Sequence, residues 1–175
     1  MKEAPISLLD YFAADLALAT NQAFVADKPI KFNDAEYVVD VSVKRSDSAS
    51  ETERRWQVVL DVRHQPGPET NFPYSYRVTL VGQFDVAQRV KAEDEERTVR
   101  IHGASVLYGM TREIVRGLTG RGPYRPVLLP TVSFYEQKTV TASEIPVAVE
   151  KPTAHALPEP QVKAKVRPPK GKAKA

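Results

Sequence analysis

The sequence predicts an α+β fold: a four-stranded antiparallel sheet with one apolar face, arranged as a Greek key, and one long helix. Three observations predict it. Three segments between Tyr37 and Val86 alternate apolar and polar residues with period two. A long, apolar connection separates them from an earlier strand-like segment. A stripe of apolar residues at helical spacing follows them.

The first strand is placed near the start, where Phe12, Ala14, Leu16 and Leu18 alternate with Tyr11, Asp15 and Ala17. Its alanines make it the weakest strand signal of the four. The connection ATNQAFVADKPIKFNDAE is too long for a hairpin turn and carries Phe24, Val25, Ile30 and Phe32. A sheet with one buried face and such a crossover points to a Greek key. The second strand groups Tyr37, Val39, Val41 and Val43 on one face, and the third groups Trp56, Val58, Leu60 and Val62. The fourth sets Phe72, Tyr74, Tyr76, Val78, Leu80, Phe84 and Val86 against Pro73, Ser75, Arg77, Thr79 and Gln83. The links SDSASETE and QPGPET are short and turn-rich, as antiparallel neighbours require.

The helix begins at EDEER, with acids where the macrodipole favours them. Val99, Gly103, Val106, Met110, Ile114 and Leu118 form its stripe, and Ile101, Leu107 and Val115 widen it. Gly103, Gly109 and Gly117 each cost about 1 kcal/mol against alanine in a helix interior. Their presence points to a close backbone approach or a bend. Gly120, Gly122 and Pro123 end the helix, and RPVLLPTVSF is then extended between Pro126 and Pro130.

Chemistry is conspicuous by what is missing. The chain has no cysteine, which excludes disulfides and thiolate sites. His64, His102 and His155 lack metal-ligand spacing. Glu93, Asp94, Glu95 and Glu96 read as a solvated helix start. GLTGRGPYR lacks the Gly-Lys-Ser/Thr ending of a phosphate loop, and Ser105 has no nucleophile-elbow context. The expectation is a binding protein, not an enzyme, with no cofactor and no metal. MKEAPISLLDYF is no signal peptide, and no apolar run reaches the roughly 18 residues a bilayer span needs. A cytoplasmic protein without membrane insertion is expected.

Charge is uneven. Residues 151–175 hold seven Lys or Arg, one acid and five of the 14 prolines, and without them 18 bases face 21 acids. Two parts are therefore expected, a domain over 1–138 and a Pro/Lys/Ala-rich, disordered basic tail over 139–175. Such a tail can touch nucleic acid or an acidic partner without sequence readout. A small nucleic-acid-associated protein is the alternative reading.

The stretch LYGMTREIVRGLTGRGPYRPVLLPTVSF resembles the SecB family of export chaperones and their SecB-like relatives. The residues that carry the likeness are Leu107–Tyr108, Gly109, Arg112–Glu113, Arg121–Gly122, and Leu128 with Pro130 and Phe134. VGQFDV stands where the family has Gly-x-Phe at the end of its last strand, and AADLAL resembles its first strand, with Asp15 kept. The likeness covers roughly residues 8–136. It implies a SecB-like sheet with the helix packed on one face, and a homo-oligomer, a dimer of dimers. The interface would involve Gly103, Leu107, Gly109, Met110 and Ile114.

It also implies an ATP-independent holdase that keeps unfolded preproteins, or an antitoxin of a toxin–antitoxin–chaperone system, in apolar grooves. Here the groove surface would come from Phe24, Val25, Ile30, Phe32, Leu128, Leu129, Val132 and Phe134. Export members offer acids on the outer sheet face to the translocation motor SecA. Asp15 matches such a position, but Ala19 and Arg77 at two others are not acidic, which weakens the case for SecA as a partner. Export members also end in an amphipathic helix. YEQKTVTASEIPVAVEKP, β-branched and broken by proline, has no helical stripe, so a more open groove is expected.

Overall fold

A computed structural model of the protein describes residues 4–46 and 53–135. The segment 139–175, expected as a tail, lies outside the described residues, and so does the stretch after Tyr135 expected to lack a helix. Four strands and one α-helix follow in order: β1 (Ile6–Thr20), β2 (Tyr37–Arg45), β3 (Arg55–His64), β4 (Tyr74–Val86) and α1 (Glu95–Thr119). All pairings are antiparallel and the sheet order is β1-β4-β3-β2. β2, β3 and β4 form a meander, and the crossover returns β1 to the side of β4, which is the Greek key expected from the length of that connection.

The period-two segments face as their sequences dictate. Val58, Leu60 and Val62 of β3 and Tyr74, Tyr76, Val78, Leu80, Phe84 and Val86 of β4 are buried under α1. Full burial of each large side chain contributes about 1.5–3 kcal/mol. The β2 residues Tyr37, Val39, Val41 and Val43 pack against the same core and stay partly exposed.

β1 departs from simple alternation. Its register against β4 shifts between Leu8 and Asp10 and again between Ala13 and Asp15. Each irregularity re-aims the strand by one residue. Leu8 therefore opposes Phe84, Tyr11 opposes Gly82, Ala13 opposes Leu80, and Leu16 and Leu18 oppose Val78 and Tyr76. All of these lie on the helix side. Phe12 opposes Val81 on the other side, so it does not share a face with Leu16 and Leu18. β1 is an edge strand, and Leu9, Tyr11, Phe12 and Leu16 along it are 47–54% exposed.

The helix row that meets the sheet is Val99, Gly103, Leu107, Thr111, Val115 and Thr119, all buried. The stripe expected from the sequence lies partly to one side of it, because two members of the true row are threonines. Their hydroxyls donate to carbonyl oxygens one turn back, Thr111 to Leu107 at 3.0 Å and Thr119 to Val115 at 2.7 Å, and so become buriable. Gly103 permits the close approach: a Cβ there would stand 2.8 Å from Val58 Cγ2 and 3.3 Å from Phe84 Cε2. Glu95, expected in solvent, is buried. It accepts from Arg54 Nε at 2.8 Å and from Trp56 Nε1 at 2.9 Å, which ties the helix start to β3.

Candidate functional site

The crossover between β1 and β2 has no regular structure over most of its length, and two asparagines hold it. Asn21 donates from Nδ2 to the Phe72 carbonyl at 2.9 Å and accepts from Ala23 N–H at 3.0 Å. Asn71 Oδ1 accepts from Val25 N–H at 2.9 Å, and its Nδ2 lies 3.1–3.2 Å from the carbonyl oxygens of Val25, Lys28 and Pro29. An unpaired backbone would not stay in place beside an apolar surface, so these side chains supply the partners a sheet ladder would otherwise give. Neither asparagine stands out in sequence.

Beneath the crossover, His64 is 1% exposed. Phe32 stacks on its ring, and Phe72 meets it edge-on with centroids 4.5 Å apart. Burial lowers the His64 pKa, and Glu36, whose Oε2 is 3.9 Å from Nε2, opposes that shift. A hydrogen bond from Thr70 lowers the Glu36 pKa. Burial raises the pKa of Tyr37, Tyr76 and Tyr108 around the same core, so these phenols stay protonated.

After α1 the chain runs as an extended strip whose residues alternate. Val127 and Leu129 are buried at 8% and 2%, Leu128 between them is 71% exposed, and Phe134 is buried at 3%. Three clamps fix the strip. Thr119 Oγ1 accepts from Val127 N–H at 2.9 Å. Tyr74 Oη accepts from Tyr124 N–H at 3.0 Å, and a side chain at Gly122 would collide with that hydroxyl. Tyr108 donates to the Pro130 carbonyl at 2.6 Å and so receives its bond from Tyr37, also at 2.6 Å.

Crossover and strip together enclose two adjoining open depressions. One, of about 260 Å³, is lined by Ile30, Phe32 and Phe72 with Arg125, Leu128 and three prolines among its walls. The other, of about 690 Å³, is lined by Phe24, Ala26, Lys28 and Ile30 with Pro123, Tyr124 and Arg125. Ile30 and Arg125 belong to both, so the two form one groove. Phe24 meets Tyr124 edge-on at 4.7 Å.

Of the residues expected to form a groove, Phe24, Ile30, Phe32 and Leu128 line it. Val25 is 42% exposed beside it. Val132 packs partly buried against the core. Leu129 and Phe134 are core residues, a correction that follows from the alternation of the strip. Phe72, Tyr124, Lys28 and Arg125 line the groove without having been expected there.

On α1, Gly103 and Leu107 are covered by the chain's own sheet, so within a protomer they serve the core. Met110 and Ile114 are half-buried, and among the described residues a Cβ on Gly109 would meet nothing within 4 Å. Asp15 lies on the outer face, 3.6 Å from Arg77 Nε, which also binds Asp61 at 3.1 Å. Arg63 bridges Asp61 and Asp40. The outer face is thus a lattice of paired charges, and Asp15 is partly neutralised there.

Among the described residues no group of side chains could hold a metal ion, and no helix is long and apolar enough to cross a membrane. The arrangement offers apolar, open, extended-backbone surface. That suits reversible capture of apolar chain segments, since burial contributes about 25 cal/mol per Å² without sequence readout.

The sequence model of one family, described as preprotein translocase subunit SecB, matches residues 2–140. Among solved structures, a SecB-like chaperone of Mycobacterium tuberculosis in complex with a ChAD peptide from the HigA1 antitoxin is 19% identical, with a TM-score of 0.48 over 74% of this chain and 92% of that one. A protein of unknown function from Streptococcus agalactiae is 10% identical, with a TM-score of 0.46 over 72% of this chain and 97% of that one. No curated protein matches the chain.

Proposed function

This chain belongs to the SecB family, and from that premise we propose that it is an ATP-independent holdase chaperone. Its clients are unfolded or aggregation-prone chains, either preproteins bound for export or an antitoxin of a toxin–antitoxin–chaperone system. The groove between crossover and exit strip is their site. The observation that carries this reading is the exposed apolar lining of that groove: Ile30, Phe32 and Leu128 are 51%, 38% and 71% exposed on segments held in place by Asn71, Tyr74 and Tyr108. Surface held open in this way favours binding because little ordering entropy is lost.

The same reading makes the protein a homo-oligomer, a dimer of dimers. Two surfaces support this. β1 is a 15-residue edge strand with an apolar flank, a feature proteins cover. The outer side of α1, with Val106, Gly109 and Met110, is uncovered among the described residues and can take a second helix. Asp15 is the one candidate contact for SecA, and its pairing with Arg77 argues for a weak one. A domain over 1–138 carries the whole activity.

The experiment is dilution of a chemically unfolded protein into buffer with and without the chain, without nucleotide. Suppressed aggregation at near-stoichiometric chaperone is expected, and unchanged aggregation would refute the holdase reading. The seven basic residues of 151–175 motivate the second reading, nucleic-acid association. Binding to phosphate falls steeply with salt, whereas groove binding, driven mainly by apolar burial, changes far less, so a salt titration separates the two.

A further inference from the structure

We propose that the groove selects acidic clients: extended apolar segments that carry a carboxylate, received by Arg125 and Lys28. The inference deepens the holdase reading and rests on the groove's being the client site. Arg125 lines both depressions and Lys28 the larger one, and among the described residues no Asp or Glu lines either. Among the described residues neither cation has an ion-pair or side-chain hydrogen-bond partner. On the outer sheet face the opposite holds, where Arg63 and Arg77 are each bound by two acids.

The two groove cations stand instead beside Phe24, Ile30, Tyr124 and Leu128. A carboxylate delivered on an apolar segment gains from both features at once. Its neighbours bury apolar area, and the water they displace lowers the local dielectric and strengthens the pair. A client lysine at the same place meets like charge. The occupant that fits is therefore an unfolded chain with Asp or Glu set among aliphatic or aromatic residues.

The test uses three labelled peptides of one apolar sequence that differ at two central positions, carrying Asp, Asn or Lys. Fluorescence anisotropy with the full chain gives each affinity. At low salt the Asp peptide should bind about fivefold tighter than the Asn peptide, as expected for an exposed ion pair, and the Lys peptide more weakly than both. High salt should narrow the spread, and Arg125→Glu should reverse the order. Equal affinities for the three peptides would overturn the inference and leave the holdase reading standing. No binding of any peptide would overturn both. An order kept in both Arg125→Glu and Lys28→Glu would place the selectivity elsewhere and overturn it too. So would a change of oligomeric mass in Arg125→Glu with the peptide order unaltered, since it would assign the groove to a second copy of the chain.

Discussion

The ring of Phe32 lies on the ring of His64, with centroids 5.0 Å apart and planes 15° from parallel. This one contact joins the crossover to the end of β3. It also sets a buried imidazole under the groove, where neither ring nitrogen has a hydrogen-bond partner of good geometry among the described residues. The folded state therefore favours neutral His64, because burial penalises its charged form by more than the nearby Glu36 carboxylate favours it.

The sign of the resulting pH dependence follows. The folded pKa is depressed, so the stabilisation is fully present above the unfolded value of about 6.5. As pH falls below that value, the unfolded chain takes up a proton that the folded one refuses, and stability is lost. The melting temperature should drop between about pH 7.5 and about pH 5.5, a range above that of Glu36. His64→Phe should lessen the drop. An equal drop in wild type and variant would show that His64 is not its source.

Neighbouring leucines should behave oppositely. Leu129 is 2% exposed and Leu128 is 71% exposed. Leu129→Asp buries an unpaired carboxylate, at a cost of several kcal/mol, and should abolish the cooperative melt followed by circular dichroism. Leu128→Asp should melt as wild type does. Two identical melting curves would contradict the alternation of the exit strip.

Two helix glycines make a second pair. Gly103→Leu would drive side-chain atoms into Val58 and Phe84, and overpacking of that kind costs about 1–3 kcal/mol or more. Gly109→Leu meets open space within the protomer, so the subunit should stay folded while the mass seen by light scattering falls. A wild-type chain that is monomeric at micromolar concentration, or a Gly109→Leu variant of undiminished mass, would refute the helix surface as an interface.

How much of this was legible follows from where each signal resides. β2, β3 and β4 were readable because apolar residues recur at every second position from Tyr37 to Val43, Trp56 to Val62 and Tyr74 to Val86, interrupted only at Gly82. β1 was readable only as a strand, since its two register shifts move Phe12 to the face opposite Leu16 and leave no trace in composition. Thr111 and Thr119 hid the inner row of the helix, because a hydroxyl that bonds to its own helix looks polar in sequence. Phe24, Ile30, Phe32 and Leu128 were visible as apolar residues outside any periodic element. Leu129 and Phe134 were misplaced because alternation within a short coil segment is too brief to read. Arg125, Lys28 and Asn71 act through contacts with residues distant in sequence, and single polar residues in loops carry no signal of that.

The central claim is that the groove between crossover and exit strip holds unfolded clients. Its most direct test is suppression of aggregation by Leu128→Asp and Phe24→Asp, with circular dichroism to confirm the fold. Both side chains line the groove, and Leu128 makes little contribution to the core. Both variants should keep a native spectrum and lose most of the suppression shown by the wild-type chain. Natively folded variants with undiminished suppression would contradict the claim.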